Sequence, residues 1–537
     1  MPVPSFRPLF SLRRLAGALA LSASLAPALA TAAQPATVRL DYLHSGNAKS
    51  EQYAVDRVVI EPLPWPGDMA RTIDQSNRGM NLVEVTDAAS GKLLYSRGFS
   101  TIFGEWSSTD EAQRGNRGFQ ESVRFPKPDR PVKVRILKRD AQNAFVEAWS
   151  TLVDTDALDV VRKQGPAPAK PIPIRVSGAS PDKVDLLIVG DGYTKAEMRK
   201  FEASARRLAE HLFKVSPFRE RARDFNVWAL ALPTQESGVS RPSTGVHHAS
   251  PLGTRYDIFG SERYVLTTDN RALRELAQYA PYEFIEILVN NDTYGGGGIF
   301  GQFSTAAANN DWANYLFVHE FGHHFAGLAD EYYTSPVAYQ TGGARIEPWE
   351  PNATALQDPA HLKWSKFVKA GTALPTAWPK AEYETHSREY QKQRAALRAA
   401  NRPEAEMNAL FRKGPGLHRA AVLACARAAQ GRRLRGRQLR GHRLLPAGHA
   451  VPDVRPQRRL LPGVPGRHRH HHRLVRRTGE VGAAARRGVE QGGAGIFPAL
   501  LISVVGSLAN RAYPGMGLFW PCAVAFLYHG AQREAVD

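Results

Sequence analysis

Two histidines four residues apart, His319 and His323, with Glu320 directly after the first, are the residues of this chain best suited to chemistry. On a helix, positions i and i+4 lie one above the other, so both rings can converge on one metal ion with Glu320 beside them as general base. A catalytic zinc takes three protein ligands and keeps a further position for water. Asp330 and Glu331 follow Gly327, a residue suited to end a helix at positive φ, and either acid could complete the set. His324 is turned about a hundred degrees from the pair on a helical wheel and reads as an ordinary histidine on the helix flank. Phe317, Phe321, Phe325 and Leu328 fall opposite the ligands and mark the face that packs into a core. One catalytic Zn2+ is therefore the expected cofactor, and a protein or peptide the expected substrate.

Such a helix has to be fed by a sheet. Upstream, residues 184–190, 226–232 and 284–290 are short apolar runs that predict buried strands, and residues 195–213 and 270–279 have the spacing of helices. Thr194 is placed to cap the first of these helices. Between the last strand and the two histidines lies the glycine run Gly295 to Gly298. It lacks the Gly-Lys-Ser/Thr ending of a phosphate loop. Glycines also let backbone approach backbone, so Gly297, Gly298 and Ile299 are expected to present a sheet edge, running from Ile299 to Thr305, against which an extended peptide pairs.

Residues 37–161 read differently. Alternating segments such as 37–42 and 132–137, separated by Gly, Asp, Pro and Asn, predict a β-sandwich. No catalytic constellation falls within it, so its expected role is structural or in docking. The expected organisation is multidomain: a signal peptide over 1–33, the β-sandwich over 34–162, a stiff proline-rich linker over 163–173, an α/β zinc peptidase domain over 174–413, and a basic tail over 414–537.

Arg7, Arg13 and Arg14, an apolar core over 15–25 and Ala28-Leu29-Ala30 have the pattern of a cleaved export signal, which predicts a secreted or periplasmic protein. The formal charge of +19 does not imply nucleic-acid binding, because residues 414–537 hold 20 Arg, no Lys and 5 acids, so +15 (20 − 5) lies in the tail. Both cysteines, Cys425 and Cys522, lie there too, and the body has no disulfide framework. The apolar runs 496–509 and 515–528, split by Arg511 and Pro514, are each too short for stable membrane insertion.

Residues 185–194, 294–301, 317–333 and 378–384 resemble family sixty-four of the metallopeptidases, the IgA-peptidase family, and the likeness covers roughly 38–413. The resemblance implies a secreted zinc endopeptidase with a metzincin-like catalytic domain. It carries His319 and His323 over as ligands and Glu320 as base. It also selects Asp330 as third ligand, because a metzincin places that ligand ten residues after the first histidine and Asp330 stands at eleven. Glu331 is second choice. Tyr332 and Tyr333 are sequence neighbours that could donate to a developing oxyanion.

Beyond Lys413 the composition turns to Arg, Gly, Ala, Pro, Leu and His, including the run from His468 to Arg473. Advancing the reading frame by one base lets residues 432–439 encode Gly-Ala-Phe-Glu-Gly-Ala-Asn-Tyr, and residues 451–454 encode Cys-Arg-Met-Phe. These strings resemble the carboxy-terminal part of the same family, so the tail reads as out of frame. The re-read methionine is then the natural floor of a metzincin-like metal site, and Met407, in a charged helical stretch, is a poor substitute. Two other function classes make different predictions. A secreted binding or adhesion protein with an inactive metal site predicts no peptidase activity, and a basic-tail binder of nucleic acid or membrane surfaces predicts salt-sensitive binding.

Overall fold

The computed structural model describes residues 34–413, except 163, 331–345 and several positions between 356 and 379. Its amino-terminal part contains β1 (Ala36–Gly46), β2 (Glu51–Pro64), β3 (Asn81–Asp87), β4 (Leu93–Phe99), α1 (Ile102–Ser107), α2 (Asp110–Arg114), β5 (Arg117–Pro126), β6 (Val132–Arg139) and β7 (Phe145–Val153). These strands form two antiparallel sheets, in the orders β2-β1-β5 and β4-β3-β6-β7. Alternation decides which side chains go inside: on β3, Asn81, Val83 and Val85 point in and their neighbours out. Val38, Leu40 and Phe125 of one sheet share a core with Val83, Val134 and Ile136 of the other. The sequence predicts only strands here. Helices α1 and α2, inserted between β4 and β5, are too short to show a helical period, and each is started by a threonine cap, Thr101 and Thr109.

The second part contains β8 (Ile172–Arg175), β9 (Val184–Asp191), α3 (Met198–Leu212), β10 (Phe225–Ala231), α4 (Asn270–Ala277), β11 (Phe284–Val289), β12 (Gly296–Ile299), β13 (Phe303–Ala307), α5 (Ala313–Ala326), α6 (Lys380–Ala399) and α7 (Glu404–Lys413). Its sheet has the order β12-β13-β11-β9-β10-β8. The four inner strands are parallel, while β8 and β12 run antiparallel along the two edges. Parallel strands covered on both faces read as unbroken apolar runs, and Leu186 to Val189 are fully buried. Strand β8 begins at Ile172, so the last residues of the expected linker already belong to the sheet. Pro173 is tolerated there because an edge strand has a side that needs no donor.

The two parts share a core. Ile102, Phe103, Trp106 and Phe119 from the first are continuous with the apolar interior of the second. Ser100 donates to the carbonyl of Phe300 at 2.8 Å, and Gly301 packs against Phe99. Helix α1 is thereby set beside the turn that follows edge strand β12. Its position is held by His44, whose ring lies 3.0 Å from a carboxylate oxygen of Glu121 on one side and of Glu51 on the other, stacked between Tyr53 and Phe103. Glu121 also accepts from the Phe103 N–H at 3.1 Å.

Burial by itself would lower the pKa of His44, but Glu121 and Glu51 outweigh it and raise it. A raised folded value means that this stabilisation is complete below the unfolded value of 6.5 and is lost as pH climbs through the folded one. Replacing His44 by Leu leaves Glu121 buried without its cation and is expected to destabilise the protein by about 3 kcal/mol near pH 6. Urea unfolding of both proteins across pH checks this: the difference between them is expected to shrink towards alkaline pH.

Among the described residues no helix is long and apolar enough to cross a membrane. The expected signal peptide and the basic tail lie outside the described residues.

Candidate metal centre

Helix α5 carries the two histidines on adjacent turns and buries Phe317 and Phe321 on its other side. Phe325 continues that side, against Phe218, Phe225 and Phe284. Leu328, expected on the same face, lies past the end of the helix, because Gly327 adopts φ 65° and turns the chain back. The turn has two effects. The Leu328 carbonyl accepts from His323 Nδ1 at 2.6 Å, which leaves Nε2 as the lone-pair nitrogen. It also swings Asp330 over both rings.

Three candidate ligand atoms then converge. His319 Nε2 and His323 Nε2 are 3.1 Å apart, and Asp330 Oδ1 stands 3.4 Å from the first and 3.2 Å from the second. Zinc–nitrogen and zinc–oxygen bonds of about 2.0–2.1 Å at tetrahedral angles require ligand atoms about 3.3–3.4 Å apart, so the triangle fits a zinc-sized ion. Asp330 Oδ1 is buried yet makes no well-formed hydrogen bond among the described residues, as expected of an oxygen aimed at a cation rather than at a donor. The donor set, two imidazoles and a carboxylate, is one that zinc accepts. The carboxylate of Glu320 also lies within 4.8 Å of the ring nitrogens. His319 and His323 are thus met by two carboxylates, Asp330 at 3.4 and 3.2 Å and Glu320 within 4.8 Å. Glu331, Tyr332 and Tyr333 lie outside the described residues.

The charges are coupled. Burial would push the Asp330 carboxyl up, but the two histidines hold it well below the usual range. Burial would push His323 down, but Asp330 and Glu320 raise it to about 10. A divalent cation replaces the proton that this cluster otherwise binds. Glu320 itself is buried, and burial raises its pKa against the opposing pull of His319 and His323. Behind it, Glu286 on β11 is fully buried and its pKa is pushed well up by burial; Ser304 donates to one carboxylate oxygen.

The glycine run explains how close sheet and helix come. A Cβ on Gly296 would lie 3.0 Å from Glu320 Oε1, and one on Gly298 would lie 2.5 Å from the Glu320 carbonyl oxygen and 2.9 Å from His323 Cβ. Strand β12 therefore lies directly on the histidine helix, an approach that only glycine permits. The expected edge needs correction in its bounds. Gly301, at φ 73°, reverses the chain after Phe300, so the edge strand is Gly296–Ile299, and residues 303–305 belong to the inner neighbour β13. Part of that edge is already covered: Gly296 pairs with Tyr264, whose ring also sits over Gly297. The Ile299 side chain is buried, and Gly298 is half-exposed.

Three further residues at the site were not anticipated from sequence. Tyr315, one turn before His319, places its hydroxyl 3.3 Å from His319 Nδ1 and stacks on the ring. His324 is not a flank residue but fully buried: Nδ1 donates to the Ile299 carbonyl at 3.2 Å, and Nε2 accepts from the Ile285 N–H at 3.1 Å. Burial takes its pKa down to about 3, and the neutral ring ties α5 to the start of β11 and the end of β12. Glu105 of α1 comes from the amino-terminal part. Burial raises its pKa to about 7, and it feels the charges of His323 and Asp330. Tyr315 carried a usable signal in its i, i+4 spacing from His319. Glu105 carried none, because only the packing of the two parts brings it here.

Met407 is buried on α7. That helix packs through Asn408 on Asn310 and through Phe411 on Trp312, at the amino end of α5, while the ligands stand at the carboxyl end.

Residues 172–432 match the family model described as IgA Peptidase M64, and residues 29–150 match the one described as Peptidase M64 N-terminus. No curated protein matches the chain.

Proposed function

The chain belongs to the IgA peptidase M64 family and is a metallopeptidase, and from that premise we propose that it is an exported, zinc-dependent endopeptidase of metzincin-like design, with His319, His323 and Asp330 as ligands and Glu320 as general base. The observation that carries this reading is the triangle of 3.1, 3.2 and 3.4 Å formed by the three ligand atoms. The turn at Gly327 and the antiparallel edge strand lying on the histidine helix support the metzincin-like part.

Bound zinc would acidify a water and polarise the scissile carbonyl. The chain's own residues supply the rest. Glu320 takes the proton of the attacking water and delivers it to the leaving amine nitrogen. Its buried position, which raises its pKa, makes it a stronger base than an exposed carboxylate. His323 is fixed through Nδ1 by the Leu328 carbonyl, and Asp330 is oriented by the backbone that precedes it. Gly298 and the backbone of Ile299 form the half-open end of β12, where an extended peptide would add as a further strand. Export through the segment 1–33 belongs to the same proposal.

Metal analysis tests it. The purified chain is expected to hold one zinc per molecule, and His323→Ala to hold none under the same conditions. Peptide cleavage, measured on the chain with its tail restored to frame, is expected to stop on chelation and return with zinc. Cleavage that survives both chelation and His323→Ala would sink the proposal.

A further inference from the structure

Asp330 follows a glycine turn rather than sitting on a helix, so something outside α5 has to fix its backbone. The structure supplies one side chain for this. Asn352 Oδ1 accepts from the Ala329 N–H at 2.8 Å, and Asn352 Nδ2 donates to the Ala329 carbonyl at 2.8 Å. Only one orientation of the amide satisfies both partners, and the pair of bonds fixes the residue immediately before the third ligand as a neighbouring strand would. Asn352 is buried, so water does not compete for either bond.

The segment that carries Asn352 is itself held. Lys363 donates to the carbonyls of Glu350 and Ala353 at 2.9 Å each, and also to that of Pro348. Glu347 closes the segment by accepting from Thr354 Oγ1 and Ala355 N at 3.0 Å. Trp349 covers Gly327, and its ring lies tilted against that of Phe300 with centroids 5.5 Å apart. On the far side, Asn143 in the β6–β7 turn donates to the Glu347 carbonyl at 2.8 Å, which ties the segment to the amino-terminal sheet.

We infer that Asn352 is the positioning residue of the metal site: it sets the backbone of Ala329 so that Asp330 meets the two histidines, and it does so from a segment anchored on the amino-terminal part. This deepens the zinc reading and rests on it. Asn352 touches neither metal nor substrate, and its effect is on the geometry and affinity of the ion.

The test uses the full chain stripped of metal, with zinc affinity measured by competition against a chromophoric chelator and Co2+ added as a spectroscopic probe. Outer partners of a ligand typically change metal affinity by 10–100-fold. Asn352→Ala is expected to weaken zinc binding by about that factor and to lower the visible Co2+ absorption that marks a four-coordinate site. Asn352→Asp keeps the acceptor for Ala329 N–H, loses the donor, and is expected to fall between; it also serves if the alanine variant does not fold. Metal-free urea unfolding of each variant separates a general loss of stability from an effect on the ion. Zinc affinity and Co2+ spectra equal to the unaltered chain in both variants, whatever the urea midpoints, would overturn the inference. Failure of the unaltered chain to bind zinc would count instead against the metal reading.

Discussion

Glu320→Gln is expected to lower kcat by about 10²–10⁴-fold, the usual contribution of a general base, and to leave zinc content unchanged. The pairing of these two results is what identifies the role. Glutamine preserves the volume of the side chain in a place with no room to spare, against Gly296, so the helix and the edge strand keep their contact. It removes the carboxylate proposed to take the proton from water. The three ligand atoms belong to other residues, and the zinc they hold should survive. KM is expected to change little, because Glu320 acts on the water and the leaving nitrogen rather than on the rest of the substrate. Steady-state kinetics and metal analysis on the frame-restored chain read all three quantities. A variant that lost zinc along with activity would place Glu320 among the ligands, and one that kept full activity would remove it from the chemistry.

How much of this site was legible in the sequence follows from how local its parts are. His319, Glu320 and His323 lie on one helix, so a spacing of four residues was enough to bring the rings together, and the structure places their nitrogens 3.1 Å apart. Asp330 depended on one turn, and Gly327 announced that turn by its type. The inner strands could be read because burial on both faces makes them apolar throughout. What could not be read required two distant segments to meet. Asn352 is an unremarked asparagine until the chain folds back beside Ala329. His324 looked peripheral because a helical wheel gives an angle and cannot say that another strand lies at that angle. The edge strand was misplaced by a few residues because a glycine run marks where backbones come close, whereas the reversal at Gly301 decides which strand is outermost. Glu105 and His44 belong to a part with no chemistry of its own in sequence, and their bearing on the site comes from the core that the two parts share.

Restoring the reading frame of the tail is expected to have the largest effect on activity of any change to this chain. The described structure contains the three proposed ligand atoms and the proposed base, so on this reading the written chain is not short of chemical groups. The expected deficit is in the support of the site. Residues 414–537 carry +15 (20 − 5) with no lysine, and Met407 is committed to the other end of α5. The family match ends at residue 432, where the re-read string Gly-Ala-Phe-Glu-Gly-Ala-Asn-Tyr begins, and the re-read Cys-Arg-Met-Phe follows with a methionine that could lie beneath the metal. A ligand set without its floor keeps its residues but loses the packing that holds them within a few tenths of an ångström, and metal affinity and turnover both depend on that. The frame-restored protein is therefore expected to bind zinc at least about tenfold more tightly than the written chain and to account for nearly all chelator-sensitive cleavage. Sequencing the gene across the codons for residues 413–432 locates the lost or gained base. Equal zinc and equal cleavage from the two proteins, or an intact frame at that point, would mean that the written tail is genuine and that the metal site is complete without a methionine beneath it.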